Sequence, residues 1–164
     1  MYGNATLEDP VAFKGLLTGT ITAMLETNDF QYSAFYYDYR GRIFQTKSTN
    51  HIYGLEKEYV QYDFTGNPLK MMHIHTIPKK DPIKEEYTYE HDHAGRLKTT
   101  KHKLNNASAK TIANNKYDEI GRLDKTSNST TGAVSYDYDV RSRLKSIDAN
   151  EFAQGLDYTF GGNI

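Results

Sequence analysis

The chain has 164 residues, carries 20 Lys and Arg against 21 Asp and Glu, and contains no cysteine. That length sets one domain as the prior, and a net charge of −1 gives no electrostatic case for nucleic acid. The absence of cysteine excludes disulfides, thiolate metal sites and cysteine nucleophiles.

Residues 1–16, with Pro10 and Gly15 and no clear period, read as a leading loop. Residues 17–164 read as one region of sheet. Alternation of small, Thr and apolar residues predicts a strand over 18–27. Asn28-Asp29 then turns the chain into a second strand over 30–39. A third follows over 42–48, a loop over 49–54, and strands over 56–64 and 68–77. Pro68 lacks an amide donor and belongs at a strand start. Pro78-Lys79-Lys80-Asp81-Pro82 is the clearest breaker, leading into strands over 83–91 and 96–104. The polar stretch 105–115 reads as a turn. The remaining strands fall at 116–119, 122–127, 133–140, 143–147 and 156–160, with room for a turn of helix at 150–154. The fold class is therefore all-β, a meander of about ten to twelve short antiparallel strands joined mostly by hairpins, which twists as it grows.

One pattern returns along this meander. Tyr37-Asp38-Tyr39-Arg40-Gly41-Arg42-Ile43 is followed by Tyr62-Asp63-Phe64-Thr65-Gly66-Asn67 and by His91-Asp92-His93-Ala94-Gly95-Arg96-Leu97. Tyr117-Asp118-Glu119-Ile120-Gly121-Arg122-Leu123 and Tyr138-Asp139-Val140-Arg141-Ser142-Arg143-Leu144 complete the set. The Asp-to-Asp steps of 25, 29, 26 and 21 residues lie in the range of a repeat architecture. Three copies depart from the pattern. Asn67-Pro68 replaces Arg-Leu, His91 replaces Tyr and Ser142 replaces Gly. Tyr158-Thr159-Phe160-Gly161-Gly162 reads as a shortened sixth copy without the Asp.

Asp followed three places later by Gly suits a type I turn in which the carboxylate caps free backbone amides. The Gly then closes the hairpin in the left-handed conformation. The Tyr before the turn and the Leu or Ile after it pair across the two strands. The Arg lies near the Asp at the turn mouth, where an exposed ion pair contributes only about 0–1 kcal/mol. One copy thus specifies one hairpin.

On these residues the chain resembles the YD-repeat proteins of the RHS (rearrangement hotspot) family, from about residue 30 onward. The resemblance implies a strip of strands forming an arc of a hollow, curved shell wall. In toxin-bearing members such a shell encloses a C-terminal toxic domain. It also implies a secreted or cell-surface parent of which this chain is a fragment, so that its partners are the rest of that parent and an enclosed toxin domain. The unpaired edges of such an arc are expected to pair with a second copy. No run reaches transmembrane length, and the N-terminus lacks signal-peptide regions.

His73-x-His75 and His91-x-His93 each place two imidazoles on one strand face, a geometry that metals use. A turn centred near Lys80 would set His75 opposite Glu85, His73 opposite Tyr87 and His91 opposite Leu69, which brings no joint site together. No metal or cofactor is therefore expected. The five repeat aspartates, one per hairpin, read as turn caps rather than paired catalytic carboxylates. No serine triad, phosphate loop or zinc-peptidase motif is present, so the expectation is a non-enzymatic scaffold. The competing expectation is a carbohydrate-binding or adhesion module, resting on 14 tyrosines that could stack on sugar rings of a polysaccharide. Because the repeat tyrosines hold fixed places relative to each turn, bracing between strands explains them without a ligand.

Overall fold

The computed structural model describes residues 15–25, 27–130 and 132–162. Twelve strands, β1(Gly19–Ala23), β2(Phe30–Tyr37), β3(Ile43–Thr49), β4(Leu55–Tyr62), β5(Pro68–His75), β6(Ile83–His91), β7(Leu97–Leu104), β8(Lys110–Tyr117), β9(Leu123–Asn128), β10(Gly132–Tyr138), β11(Leu144–Ala149) and β12(Phe152–Gly155), follow one another in a single antiparallel sheet. Strand order equals sequence order from β1 to β12, so the sheet is a meander that does not close into a barrel. The all-β expectation holds, at the upper end of the strand number. No helix is present among the described residues.

The strands divide between two compact units. The first comprises the described residues up to Thr88 together with Lys103–Ser108. The second comprises Tyr89–His102 and the described residues from Ala109 onward. In each unit the same device closes every second hairpin, and the ladder slips by one residue at the repeat Tyr. Tyr37 pairs with Ile43, Tyr62 with Pro68, Tyr117 with Leu123 and Tyr138 with Leu144, each next to a register shift. These are the cross-strand partners that the turn chemistry predicts.

Burial is shallow. Among the described apolar residues only Tyr37 and Met72 fall below a tenth exposed, at 8% and 7%. With no helix or second sheet among the described residues, side chains are sheltered largely by their neighbours across the strands. The fold is therefore held by backbone ladders and by side chains that reach along the sheet.

Four sequence expectations need correction. The stretch 105–115 is a turn only at its start. Asn105 takes a left-handed φ of 48°, Ala107 N–H donates to Leu104 O, and Lys110–Tyr117 is a full strand. Asn115 sits in that strand because its side chain is satisfied across it, donating to Leu97 O at 3.1 Å and accepting from Thr126 Oγ1 at 2.8 Å. At the C-terminal end, the expected helical turn at 150–154 and strand at 156–160 are replaced by β12, paired with β11 from Phe152 opposite Ala149 to Gly155 opposite Ser146. Beyond β12, Leu156 N–H still donates to Lys145 O at 2.8 Å, and Tyr158 lies under Arg143 outside any strand. Between β5 and β6 the register is two residues from the expected one, with His73 opposite Glu85 and His75 opposite Ile83. The turn centres on Lys79, which adopts φ 63°, not on Lys80. Finally, the first strand stops at Ala23, because Met24 N–H donates to Asp29 O and Asn28 turns the chain at φ 54°.

The leading loop predicted for 1–16 lies outside the described residues except for Gly15 and Leu16. Gly15 has φ 83°, as the repeat glycines do.

Candidate functional site

Each Asp corner is built alike. Gly41 N–H donates to Asp38 O at 2.9 Å and Asp38 N–H donates to Arg42 O at 2.8 Å, which closes a five-residue loop. One carboxylate oxygen of Asp38 accepts from the amides of Arg40 at 2.9 Å and Arg42 at 3.0 Å. The other accepts from Arg42 Nε and Nη2, both at 2.7 Å. Asp92 treats Ala94 and Arg96 in the same way, Asp118 treats Ile120 and Arg122, and Asp139 treats Arg141 and Arg143. Asp63, whose copy has no Arg, substitutes its neighbours. It accepts from the Thr65 hydroxyl at 2.7 Å, the amides of Gly66 and Asn67 at 2.7 and 2.9 Å, and Asn67 Nδ2 at 3.3 Å.

These donors depress the carboxyl pKa values. At Asp63 the Thr65 hydroxyl leads, followed by the Asn67 and Gly66 amides against a burial penalty, and the value falls to about 2. At Asp92 the Arg96 guanidinium leads and the value is again about 2. For Asp38 and Asp118 burial is the largest influence and pushes upward, but the paired arginine and turn amides outweigh it. At Asp139 the Arg143 amide leads the lowering. All five aspartates are acceptors fully engaged by their own turns, one to a hairpin.

The arginines do more than the sequence reading assigned them. Each reaches from its own turn to the next copy and lies over that copy's tyrosine. Arg42 stands 4.7 Å from the Tyr62 ring centre, Arg96 4.4 Å from Tyr117, Arg122 4.6 Å from Tyr138, and Arg143 4.4 Å from Tyr158. In return each tyrosine hydroxyl donates to the carbonyl just after that arginine. Tyr62 bonds Ile43 O at 2.8 Å, Tyr117 Leu97 O at 2.8 Å, Tyr138 Leu123 O at 2.9 Å and Tyr158 Leu144 O at 2.8 Å. Arg42 also donates to Asp63 O and Arg122 to Asp139 O, so the guanidinium bonds both turns it spans. Fixed by its aspartate on one side, the arginine meets the next ring already oriented, which suits a planar group that stacks and hydrogen-bonds at once. A second contact runs along the turn tips, where Arg40 lies 4.5 Å from the Phe64 ring and Arg141 6.0 Å from Phe160.

The shortened last copy behaves as a repeat. Gly162 N–H donates to Thr159 O at 2.9 Å with Thr159 in the Asp place. An earlier copy, which the sequence reading missed, precedes the first. Tyr37 donates to Leu17 O at 2.6 Å, and a Cβ at Gly41 would stand 3.8 Å from Leu16 Cδ1, where Gly66 meets Arg42 Nη1 at 3.7 Å. Leu16 thus holds the arginine place and Leu17 the leucine place. With Leu in place of Arg the motif loses its most legible letter, and only the spacing Gly15-Leu16-Leu17 remained as a signal.

The histidines separate. His73 and His75 both approach Glu56, His73 Nε2 at 2.9 Å from one oxygen and His75 Nδ1 against the other. Glu85 stands 3.5 Å from His73 Nδ1 and Asn50 donates to Glu56 at 2.8 Å. Burial pushes the Glu56 carboxyl up, but Asn50, His75 and His73 together hold it below the usual range. Among the described residues no group of three or more His, Asp or Glu is arranged to hold a metal ion. His91 stands in a repeat Tyr place, and its Nδ1 is buried without a hydrogen-bond partner.

No protein-family model matches this chain, and no similar curated protein is found. What the residues establish is therefore a repeated antiparallel β-hairpin sheet in which four of the turns are bonded to the next by an arginine-on-tyrosine link.

Proposed function

We propose that this chain is a non-enzymatic structural stretch of a secreted or cell-surface YD-repeat protein of the RHS type, serving as scaffold or as part of the wall of an encapsulating shell. The observation that carries this reading is the link itself. Where present, the Asp, Gly, Arg and Tyr of the repeated motif are consumed in closing their hairpin and, at four of the turns, fastening it to its neighbour. Carboxylates saturated by amides and guanidinium have neither a free acceptor for a substrate proton nor a raised pKa with which to donate one. A surface that propagates by like hairpins, with β1 and β12 at its edges among the described residues, suits continuation into further repeats of a parent chain, or pairing with a second copy.

Limited proteolysis of the parent protein tests the reading. A wall that encloses a downstream domain protects that domain from protease, and opening the wall with denaturant exposes it. Cleavage of the downstream domain at the rate seen for that domain alone would refute enclosure.

The competing carbohydrate reading loses its main residues. Tyr62, Tyr117, Tyr138 and Tyr158 are covered on one face by an arginine and spend their hydroxyls on backbone carbonyls. Any sugar site has to be built from tyrosines outside the motif.

A further inference from the structure

The first unit separates charge between the two sides of its sheet. On β4 the residues Glu56, Lys57 and Glu58 alternate, so one strand sends its lysine to one side and both glutamates to the other. Register extends the basic side. Lys57 stands directly opposite Lys47 on β3 and opposite Ile74 on β5, and Ile74 is opposite Lys84 on β6. The acid of that side, Glu86, is taken by Lys84 at 2.7 Å and Lys103 at 3.9 Å. On the acidic side the two glutamates of β4 are joined by Glu85, with His73 between Glu58 and Glu85 in the ladder.

Like charges directly across an antiparallel pair destabilise a sheet, and no ion pair among the described residues involves Lys47 or Lys57. Both sides also carry apolar surface. On the basic side Tyr59 is opposite Met72, and towards the edge Ile21 is opposite Tyr32, at 68% and 52% exposed. On the acidic side Val60 is opposite Met71, and Met71 is opposite Tyr87. The acids that complement Lys57 thus lie on the reverse side of its own strand, one residue to either side of it.

We propose that the first unit's sheet stacks face to face with that of a second copy, basic side against acidic side. The stacking goes beyond the scaffold role and does not depend on it. It also differs from pairing through strand edges, which uses backbone groups. Sheets pack about 10 Å apart with their strands nearly aligned. A shift of one residue along β4 brings Lys57 of one copy over Glu56 or Glu58 of the next. The repulsion between Lys47 and Lys57 is relieved there, and Tyr59 and Met72 cover the row of Val60, Met71 and Tyr87. A net charge of −1 lets copies approach without mutual repulsion. Because each copy offers unlike sides, the contact is heterologous and continues into a third and a fourth copy instead of closing as a dimer.

Sedimentation velocity of the purified chain over a range of concentrations, at low and at high salt, tests the stacking. Expected are species larger than dimers that grow with concentration and shrink as salt rises. Lys47→Glu/Lys57→Glu makes both sides acidic, and Glu58→Lys/Glu85→Lys makes both basic. Each variant by itself should associate about tenfold more weakly or worse. An equimolar mixture of the two should recover the parent's association, which a merely structural defect would not allow. Circular dichroism checks that each variant keeps its sheet. Where one does not fold, Lys57→Gln and Glu58→Gln take its place, each expected to weaken association several-fold. A chain that stays monomeric at low salt, folded variants that associate as the parent does (the result for edge pairing), or a mixture that stays apart would each overturn the proposal.

Discussion

At Ser142 the repeat asks for a backbone conformation that its side chain resists. Ser142 stands where the six other copies have glycine and adopts φ 61°, with Arg122 Nη1 3.3 Å from its hydroxyl. A non-glycine residue in this region costs roughly 1–2 kcal/mol, partly offset here by that contact. Ser142→Gly should therefore stabilise the protein by about 0.5–1 kcal/mol, raising the melting temperature by roughly 1–4 °C in a calorimetric scan. The reverse substitution elsewhere should be harsher. Gly121 has φ 94°, and a Cβ there would meet Arg96 Nη1 at 3.1 Å. The aspartates set the acid limit. Asp63 and Asp92 have folded pKa values of about 2, below the ordinary 3.8. A depressed carboxyl contributes stability that is fully present above the unfolded pKa and is lost as pH falls through the folded one. Melting temperature should accordingly hold above about pH 5 and decline between about pH 4 and pH 2, and Asp92→Asn should flatten that decline.

Between elements, the arginine-on-tyrosine link is the unit of cohesion, and it is a pairwise interaction that can be isolated. Tyr117→Phe removes the hydroxyl donor to Leu97 O and should cost about 1 kcal/mol by denaturant unfolding. Arg96→Lys keeps the charge but loses both the fork on Asp92 and the stacking plane over Tyr117. A double-mutant cycle on the two should give a coupling of about 0.5–1.5 kcal/mol, well above the near-zero coupling of unrelated surface positions. At the opposite end of the hairpins the constraint is steric. A Cβ on Gly54 would stand 1.8 Å from Thr76 O, and Thr76 exchanges backbone and hydroxyl hydrogen bonds with Leu55. Gly54→Ala should thus disrupt the β4–β5 pairing, read as a loss of more than about 2 kcal/mol.

For the chain as a whole, the links are distributed unequally. The second unit contains three in succession, through Arg96, Arg122 and Arg143, whereas the first contains one complete link, Arg42 to Tyr62. The repeat places that would carry a link from the second copy to the third are occupied by Asn67 and His91, so both the arginine and the tyrosine are missing. The second copy lies in the first unit and the third copy in the second unit. Native-state hydrogen exchange should show two opening reactions of different free energy, with the central amides of β8–β11 protected separately from those of β2–β5. A single opening energy shared by both groups would contradict this picture.

Sequence alone determined the strand-and-turn grammar. Asp-x-x-Gly dictates a local turn whose geometry depends on five consecutive residues, and period-two alternation dictates which side of a strand a residue takes, so the meander and its repeat were legible. Failures came where local signals are ambiguous. Asn115 read as a turn residue, yet its side-chain partners across the strand kept it in β8. The β5–β6 register rested on which of two adjacent lysines turns left-handed. Only the tertiary structure decided what the arginines are for. Their partner lies 15 to 21 residues away, on the next hairpin but one strand pair over, and no spacing rule within a turn reports a contact that exists only once successive hairpins lie side by side.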